Sequence, residues 1–216
     1  MPSIAKAAAK TAPPIDLPAL ERARLSHDPF PFVVVPRFVK SEALDAINAD
    51  FPEISHAGSF PLPAVSYGPA FAGLIDAIRG EEFTRAVETK MGIDLSTRPT
   101  MITVRGQSGT DDGRIHTDSK SKLVTVLIYM NPIWESAQGR LRLLRSSSDL
   151  NDVVAEVPAD EGALLAFRNQ ANAWHGFEPF EGPRRVIQLN WVRDSGVVWR
   201  EQARHRLSAY FKRMKS

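Results

Sequence analysis

The chain has no cysteine among its 216 residues. That removes disulfides, zinc–thiolate and iron–sulfur sites, and every thiol nucleophile. It also lacks any apolar run approaching the roughly 20 residues that a membrane-spanning helix needs. The first residues, MPSIAKAAAKTAPP, carry two lysines but no apolar stretch of the sort a secretory leader requires. These absences read as a cytoplasmic protein with no membrane span, although a cysteine-free chain is equally safe in a periplasm. The glycine-rich segments GQSG and DDG lack the spacing and the Gly-Lys-Ser/Thr ending of a phosphate-binding loop, and read as turns.

What is present is an ordinary globular composition, 43% hydrophobic and 24% charged, in a chain long enough for one domain with a sizeable core. The net charge of +2 is spread unevenly. From Trp199 to Ser216, six lysines and arginines stand against one glutamate, so this segment carries +5 and the other 198 residues carry −3. The segment is either a contact for an anionic partner or a solvated helix end, with cations placed favourably at its carboxyl terminus. It lacks the interleaved aromatics and basic stripe of a nucleic-acid surface.

Periodicity divides the chain in two. Helical spacing is expected over 17–26, over a segment capped by Ser41 with Leu44, Ile47 and Phe51 on one face, over 69–79, and over 81–91. Gly92 stands where a helix-ending glycine belongs. FVVV, between two prolines, is a short strand. From residue 99 the apolar runs shorten and turn signals recur. Strands are expected at 100–105, 114–118, 122–130, 140–145, 153–157, 163–168, 173–178 and 185–193, the signature of a β-sandwich or barrel. The expected organisation is a tail at 1–15, a helical support region at 16–98, a β core at 99–198 and a basic helix at 199–216.

The segment RIHTDSKSKLVTVLIYMN carries the chemistry. His116 and Asp118 are two residues apart, so on an extended strand both side chains leave one face. An imidazole and a carboxylate so placed can chelate a divalent metal, given a third ligand. His175, in NAWHGFEPFEGPRR, lies 57 residues on, enough for antiparallel strands to return to the same place. Two histidines and a carboxylate on one side of an iron leave positions open for a co-substrate and dioxygen. A lone histidine is more often structural, and His27, His56 and His205 have no partners in the pattern.

His116-Thr117-Asp118, then His175, then Arg185 ten residues further, resembles the 2-oxoglutarate/Fe(II) oxygenase superfamily, in particular its prolyl-4-hydroxylase-like branch. The resemblance covers residues 99–193. It implies a mainly β (α+β) fold: a double-stranded β-helix, jelly-roll or cupin-like, with supporting amino-terminal helices and a carboxyl-terminal helix. It implies His116, Asp118 and His175 as ligands of Fe(II), with 2-oxoglutarate and O2 as co-substrates and a place for ascorbate. The reaction would hydroxylate an unactivated C–H bond and release succinate and CO2. Halogenases of the superfamily have a small residue in place of the carboxylate, so Asp118 favours hydroxylation.

Arg185 shares a strand face with Ile187, Leu189 and Trp191. If that apolar face points into the barrel, Arg185 meets the distal carboxylate of 2-oxoglutarate as a planar, two-point donor, and Arg184 faces solvent. The alternative is a salt bridge to a protein carboxylate. By resemblance Tyr129 also bonds the co-substrate, the plainer reading being a core aromatic, and Thr125 faces the same way. Where related hydroxylases carry a tyrosine before His-x-Asp, this chain has MITVRGQSG. Arg105 there contacts co-substrate, contacts an anionic substrate, or lies on the surface. Trp174 and Phe177 flank His175 as candidate pocket walls.

No residue names the substrate. A small or carrier-linked molecule is favoured over a protein, because no peptide-binding module is recognisable. The competing readings are a cupin-like metalloenzyme that takes no 2-oxoacid, and a non-catalytic binding protein on the same barrel.

Overall fold

The computed structural model describes residues 12–196. The basic segment expected to be a helix lies outside them. Ile15 is already buried and bridges Val39, so the expected tail boundary at residue 15 falls too late.

Helix α1 (Leu17–Arg22) is capped by Asp16, whose carboxylate accepts from the Ala19 amide at 2.9 Å. It is shorter than the spacing suggested. Strand β1 (Phe32–Val35) is the FVVV run. In α2 (Ser41–Ala49) the capping position is Lys40, and the Ser41 hydroxyl turns to Glu42, which corrects the expected Ser41 cap. A two-residue strand β2 (Phe60–Pro61) follows.

Helix α3 (Pro69–Arg79) starts on proline, whose missing amide hydrogen costs nothing in the first turn. Its Phe71, Leu74, Ile75 and Ile78 form a buried stripe. In α4 (Glu81–Met91) the stripe is Phe83, Val87 and Met91, and Gly92 ends the helix at φ 61°, in the left-handed region where glycine has no steric penalty. Both helices have the expected bounds.

The β region comprises β3 (Thr100–Ser108), β4 (Lys122–Tyr129), β5 (Arg142–Leu144), β6 (Val153–Glu156), β7 (Leu164–Arg168), β8 (Trp174–Gly176) and β9 (Gly182–Val192). They form two antiparallel sheets, ordered β1-β7-β4-β9-β3-β2 and β6-β5-β8. The expected strand at 114–118 is only a bridge at His116, paired with His175. Two facing sheets with helices behind the larger one make the expected double-stranded β-helix.

Both faces of the larger sheet are covered. Val104 on β3, Val126 and Ile128 on β4, and Ile187, Leu189 and Trp191 on β9 pack with the helical stripes. Phe83 of α4 stacks on Trp191 with ring centroids 6.2 Å apart. Fully burying each such side chain contributes about 1.5–3 kcal/mol. The other face looks across to the smaller sheet, where Phe32, Leu143, Leu165 and Phe167 close one part of the space. The rest of that space is the site.

Candidate active site

His116 and His175 exchange backbone hydrogen bonds, each amide donating to the other's carbonyl at 3.0 Å. This pairing sets the two imidazoles side by side, ring centroids 4.4 Å apart. Two glycines let the His116 segment come so close to β8. A Cβ on Gly113, at φ 97°, would lie 2.3 Å from the Phe177 carbonyl oxygen, and one on Gly176 would lie 2.8 Å from that of Gly113. The Phe177 amide donates to Gly113 in this gap.

In each histidine Nδ1 lies against a backbone carbonyl, Arg114 for His116 at 2.8 Å and Ala173 for His175 at 3.0 Å. Only a protonated Nδ1 satisfies that contact, so Nε2 is the nitrogen turned to a metal. Burial and the neighbouring His116 push the His175 pKa down to about 4, against the pull of Asp118. His175 is therefore neutral at pH 7, as metal binding requires.

Asp118 completes the cluster. One ligand atom from each of His116, Asp118 and His175 lies within 4.8 Å of the others. Asp118 Oδ2 accepts from the Thr125 hydroxyl, whose oxygen accepts from Asn190 Nδ2 at 2.8 Å, while Gln188 donates to Asn190 at 3.0 Å. Oδ1 accepts from the Lys122 ammonium at 2.7 Å. Burial alone would raise the carboxyl's pKa, but Lys122, His175 and these hydrogen bonds hold it below the usual aspartate value. The turn carrying Asp118 is fixed by Asn169, whose side-chain amide donates to the carbonyls of Ser119 and Lys122 at 2.7 and 3.1 Å.

The cluster opens into a cavity of about 500 Å³ between the sheets. Thr103 and Arg105 on β3, Thr125 and Tyr129 on β4, and Arg184, Gln188 and Asn190 on β9 line it from the larger sheet. The inward face of β9 is therefore the polar one, and the expectation for Arg185 is reversed. Arg185 sits with the apolar set on the helix side. There its guanidinium donates to the Asn48 carbonyl at the end of α2 and lies 5.2 Å from the Phe51 ring centroid. A cation at a helix carboxyl terminus is favourable.

Arg184, expected in solvent, is only 4% exposed and lines the cavity. It packs 4.1 Å from the Phe177 ring centroid, and its Nε donates to the Gly139 carbonyl at 2.9 Å. It forms no ion pair with any described residue. Burial lowers its pKa, the cost of a guanidinium held without an anion. Beside it the Tyr129 hydroxyl is buried with no hydrogen-bond partner in close geometry among the described residues, and burial raises its pKa against the pull of Arg184.

Arg105 lines the cavity but is held by Asp112 in an ion pair, with a second contact to Ser59 at 3.3 Å. Thr125 lines it too, with its hydroxyl committed to Asp118 and Asn190. Trp174 does not line it; alternation on β8 sends His175 inward and Trp174 away, which removes Trp174 as a pocket wall. Phe177 is a wall, as expected. Lys122, Asn190, Gln188 and Asp112 escaped the sequence reading. The signal for Gln188 and Asn190 was their alternation with Arg184 on β9, whereas Lys122 lies beyond a register shift on β4 and gave none.

This arrangement agrees with an independent comparison. Residues 105–193 match the profile of the 2OG-Fe(II) oxygenase superfamily. The match spans 89 of the 216 residues, the β core that carries the cluster. No curated protein sequence matches the chain significantly. The chain is similar in structure to a Pseudomonas putida prolyl-4-hydroxylase, at 16% identity and a TM-score of 0.51, over 82% of this chain and 92% of that one. It is also similar to HygX from Streptomyces hygroscopicus, solved with iron bound, at 16% identity and a TM-score of 0.50, over 74% and 81% of the two chains. At these identities the likeness is one of fold.

The donor set of this chain suits the cofactors that the matched superfamily is named for. Two imidazoles and a carboxylate on one side of a space fit Fe(II). An unpaired buried guanidinium beside an orphaned phenol fits a carboxylate of 2-oxoglutarate. Among the described residues no helix is long and apolar enough to cross a membrane.

Proposed function

We propose that the oxygenase hydroxylates an unactivated C–H bond of its substrate, with Fe(II) held by His116, Asp118 and His175 and 2-oxoglutarate held by Arg184 and Tyr129. The observation that carries this reading is the convergence of the three donor atoms within 4.8 Å of one another. Together, the bound iron and 2-oxoglutarate supply the coupling of O2 reduction and oxidative decarboxylation, to succinate and CO2, with oxygen insertion into a C–H bond.

The protein's part is positional. The carbonyls of Arg114 and Ala173 fix both histidine tautomers. The Gln188–Asn190–Thr125 relay orients Asp118, so Thr125 serves as a positioning residue and not as a direct co-substrate contact. Arg184 and Tyr129 supply donors at the inner end, where a carboxylate would relieve an uncompensated charge and an unmet hydroxyl at once. Arg105, braced by Asp112, presents a charge-neutralised guanidinium along the same wall.

His116 is exposed while His175 is buried, so the cluster meets solvent on the His116 side. There Asp111, Arg114 and Ser119 line the cavity. This charged, polar rim supports a small or carrier-linked polar substrate, admitted from that side. Ascorbate would serve to keep the iron ferrous.

Succinate release from 2-oxoglutarate tests the assignment. The wild type is expected to form succinate only with Fe(II) added, and Asp118→Ala to form none above background. Undiminished succinate formation by Asp118→Ala would overturn the ligand set.

A further inference from the structure

Lys122 does not belong to the metal-binding cluster, yet it makes that cluster's closest charge contact. It opens β4, four residues after Asp118, and its side chain is only 15% exposed against 8% for Asp118. The pairing is enforced from outside, since Asn169 ties together the carbonyls of Ser119 and Lys122 across the turn. The two oxygens of Asp118 are in different positions. Because the Thr125 hydroxyl accepts from Asn190, its own proton must go to Asp118 Oδ2. With Oδ2 held by that hydroxyl, we take Oδ1 as the oxygen that meets a metal, and it is the one the ammonium holds.

We propose that Lys122 is a stand-in cation: it occupies Asp118 Oδ1 in the metal-free protein, keeps the three ligands assembled, and must give way when the divalent ion enters. The inference rests on the ligand assignment above. Without Lys122, the metal-free site would bury a carboxylate against two imidazoles with no compensating charge, an arrangement that costs stability and favours rearrangement. With it, the cluster is preformed but its metal affinity is lowered, because an ammonium and a divalent cation on one carboxylate oxygen repel each other. The displaced ammonium remains in the cavity wall, beside the point of substrate entry.

Calorimetric titration with Ni(II), as an oxygen-stable probe of the site, separates the possibilities, with melting curves recorded with and without the metal. Lys122→Met is expected to bind Ni(II) on the order of tenfold more tightly than the wild type. Its metal-free form should melt lower, and Ni(II) should raise its melting temperature by more than it raises that of the wild type. Lys122→Gln, also neutral, serves should the methionine variant fail to fold. Asp118→Ala is the control. If it loses Ni(II) binding while the Lys122 variants bind no more tightly than the wild type, the stand-in role is wrong and the ligand assignment stands. If Asp118→Ala binds Ni(II) as the wild type does, the ligand assignment itself is wrong and this proposal falls with it.

Discussion

The two faces of the six-stranded sheet do opposite work with the same backbone. On β9 the odd positions Ile187, Leu189 and Trp191 pack under the helices, while the even positions Arg184, Gln188 and Asn190 face the cavity. The neighbouring strands obey the same division. Register places Thr125 opposite Asn190 and Tyr129 opposite Val186, so the inward residues of β4 and β9 form one surface. The helix-side face is uniform and apolar because its task is burial. The cavity face is polar and expensive, with an unpaired guanidinium and an unmet hydroxyl. A fold bears such costs where a ligand relieves them.

Substitutions on the two faces should therefore fail differently. The largest effect is expected from Arg184→Met on the cavity face. Removing one partner of a buried charge-assisted contact costs about 2–5 kcal/mol of binding. The affinity for 2-oxoglutarate, measured by calorimetry on the Ni(II)-loaded protein, should fall by about two orders of magnitude or more. Melting temperature should hold or rise, since a buried charge without a counter-ion is removed. A variant that binds 2-oxoglutarate normally would show that the cavity face does not hold the co-substrate.

Next comes Leu189→Ala on the helix side. Denaturant unfolding should show a loss of about 2–5 kcal/mol, the range for leucine deletion in a packed core. The folded fraction should still bind 2-oxoglutarate with wild-type affinity. A specific loss of that affinity would blur the division between the faces.

The smallest effect is expected from Arg185→Met, one residue from Arg184. Its contact with the Asn48 carbonyl at the end of α2 is worth about 1 kcal/mol or less. Co-substrate affinity should not change. Between these adjacent arginines chain position is nearly constant while the face differs.

The same contrast marks where the sequence was legible. Helices α3 and α4 were read to the residue, because each has one buried face, a clean apolar stripe and a proline or glycine at its boundary. The pairing of His116 and Asp118 with a distant His175 was visible because ligand chemistry needs particular side chains at particular spacings. Arg185 was misread for a physical reason. An apolar face points to the core only when the other face meets water, whereas here both faces of β9 are covered and the apolar one goes to the helices. The correct direction was implicit in β4. Thr125 and Tyr129 were taken as inward, which makes the cavity face polar, and the same rule on β9 selects Arg184, Gln188 and Asn190. Lys122 was missed because its partner is a ligand residue one turn away, and nothing in the spacing separates that contact from a solvated lysine.

On the proposed reading, a three-ligand iron site and a buried arginine share one cavity with 2-oxoglutarate. The measurement that tests it most directly is the visible spectrum of the anaerobic protein, titrated first with Fe(II) and then with 2-oxoglutarate. A charge-transfer band that grows with the co-substrate, and is lost in Asp118→Ala and weakened in Arg184→Met, is the predicted result. A spectrum unchanged by 2-oxoglutarate in the iron-loaded wild type would contradict it.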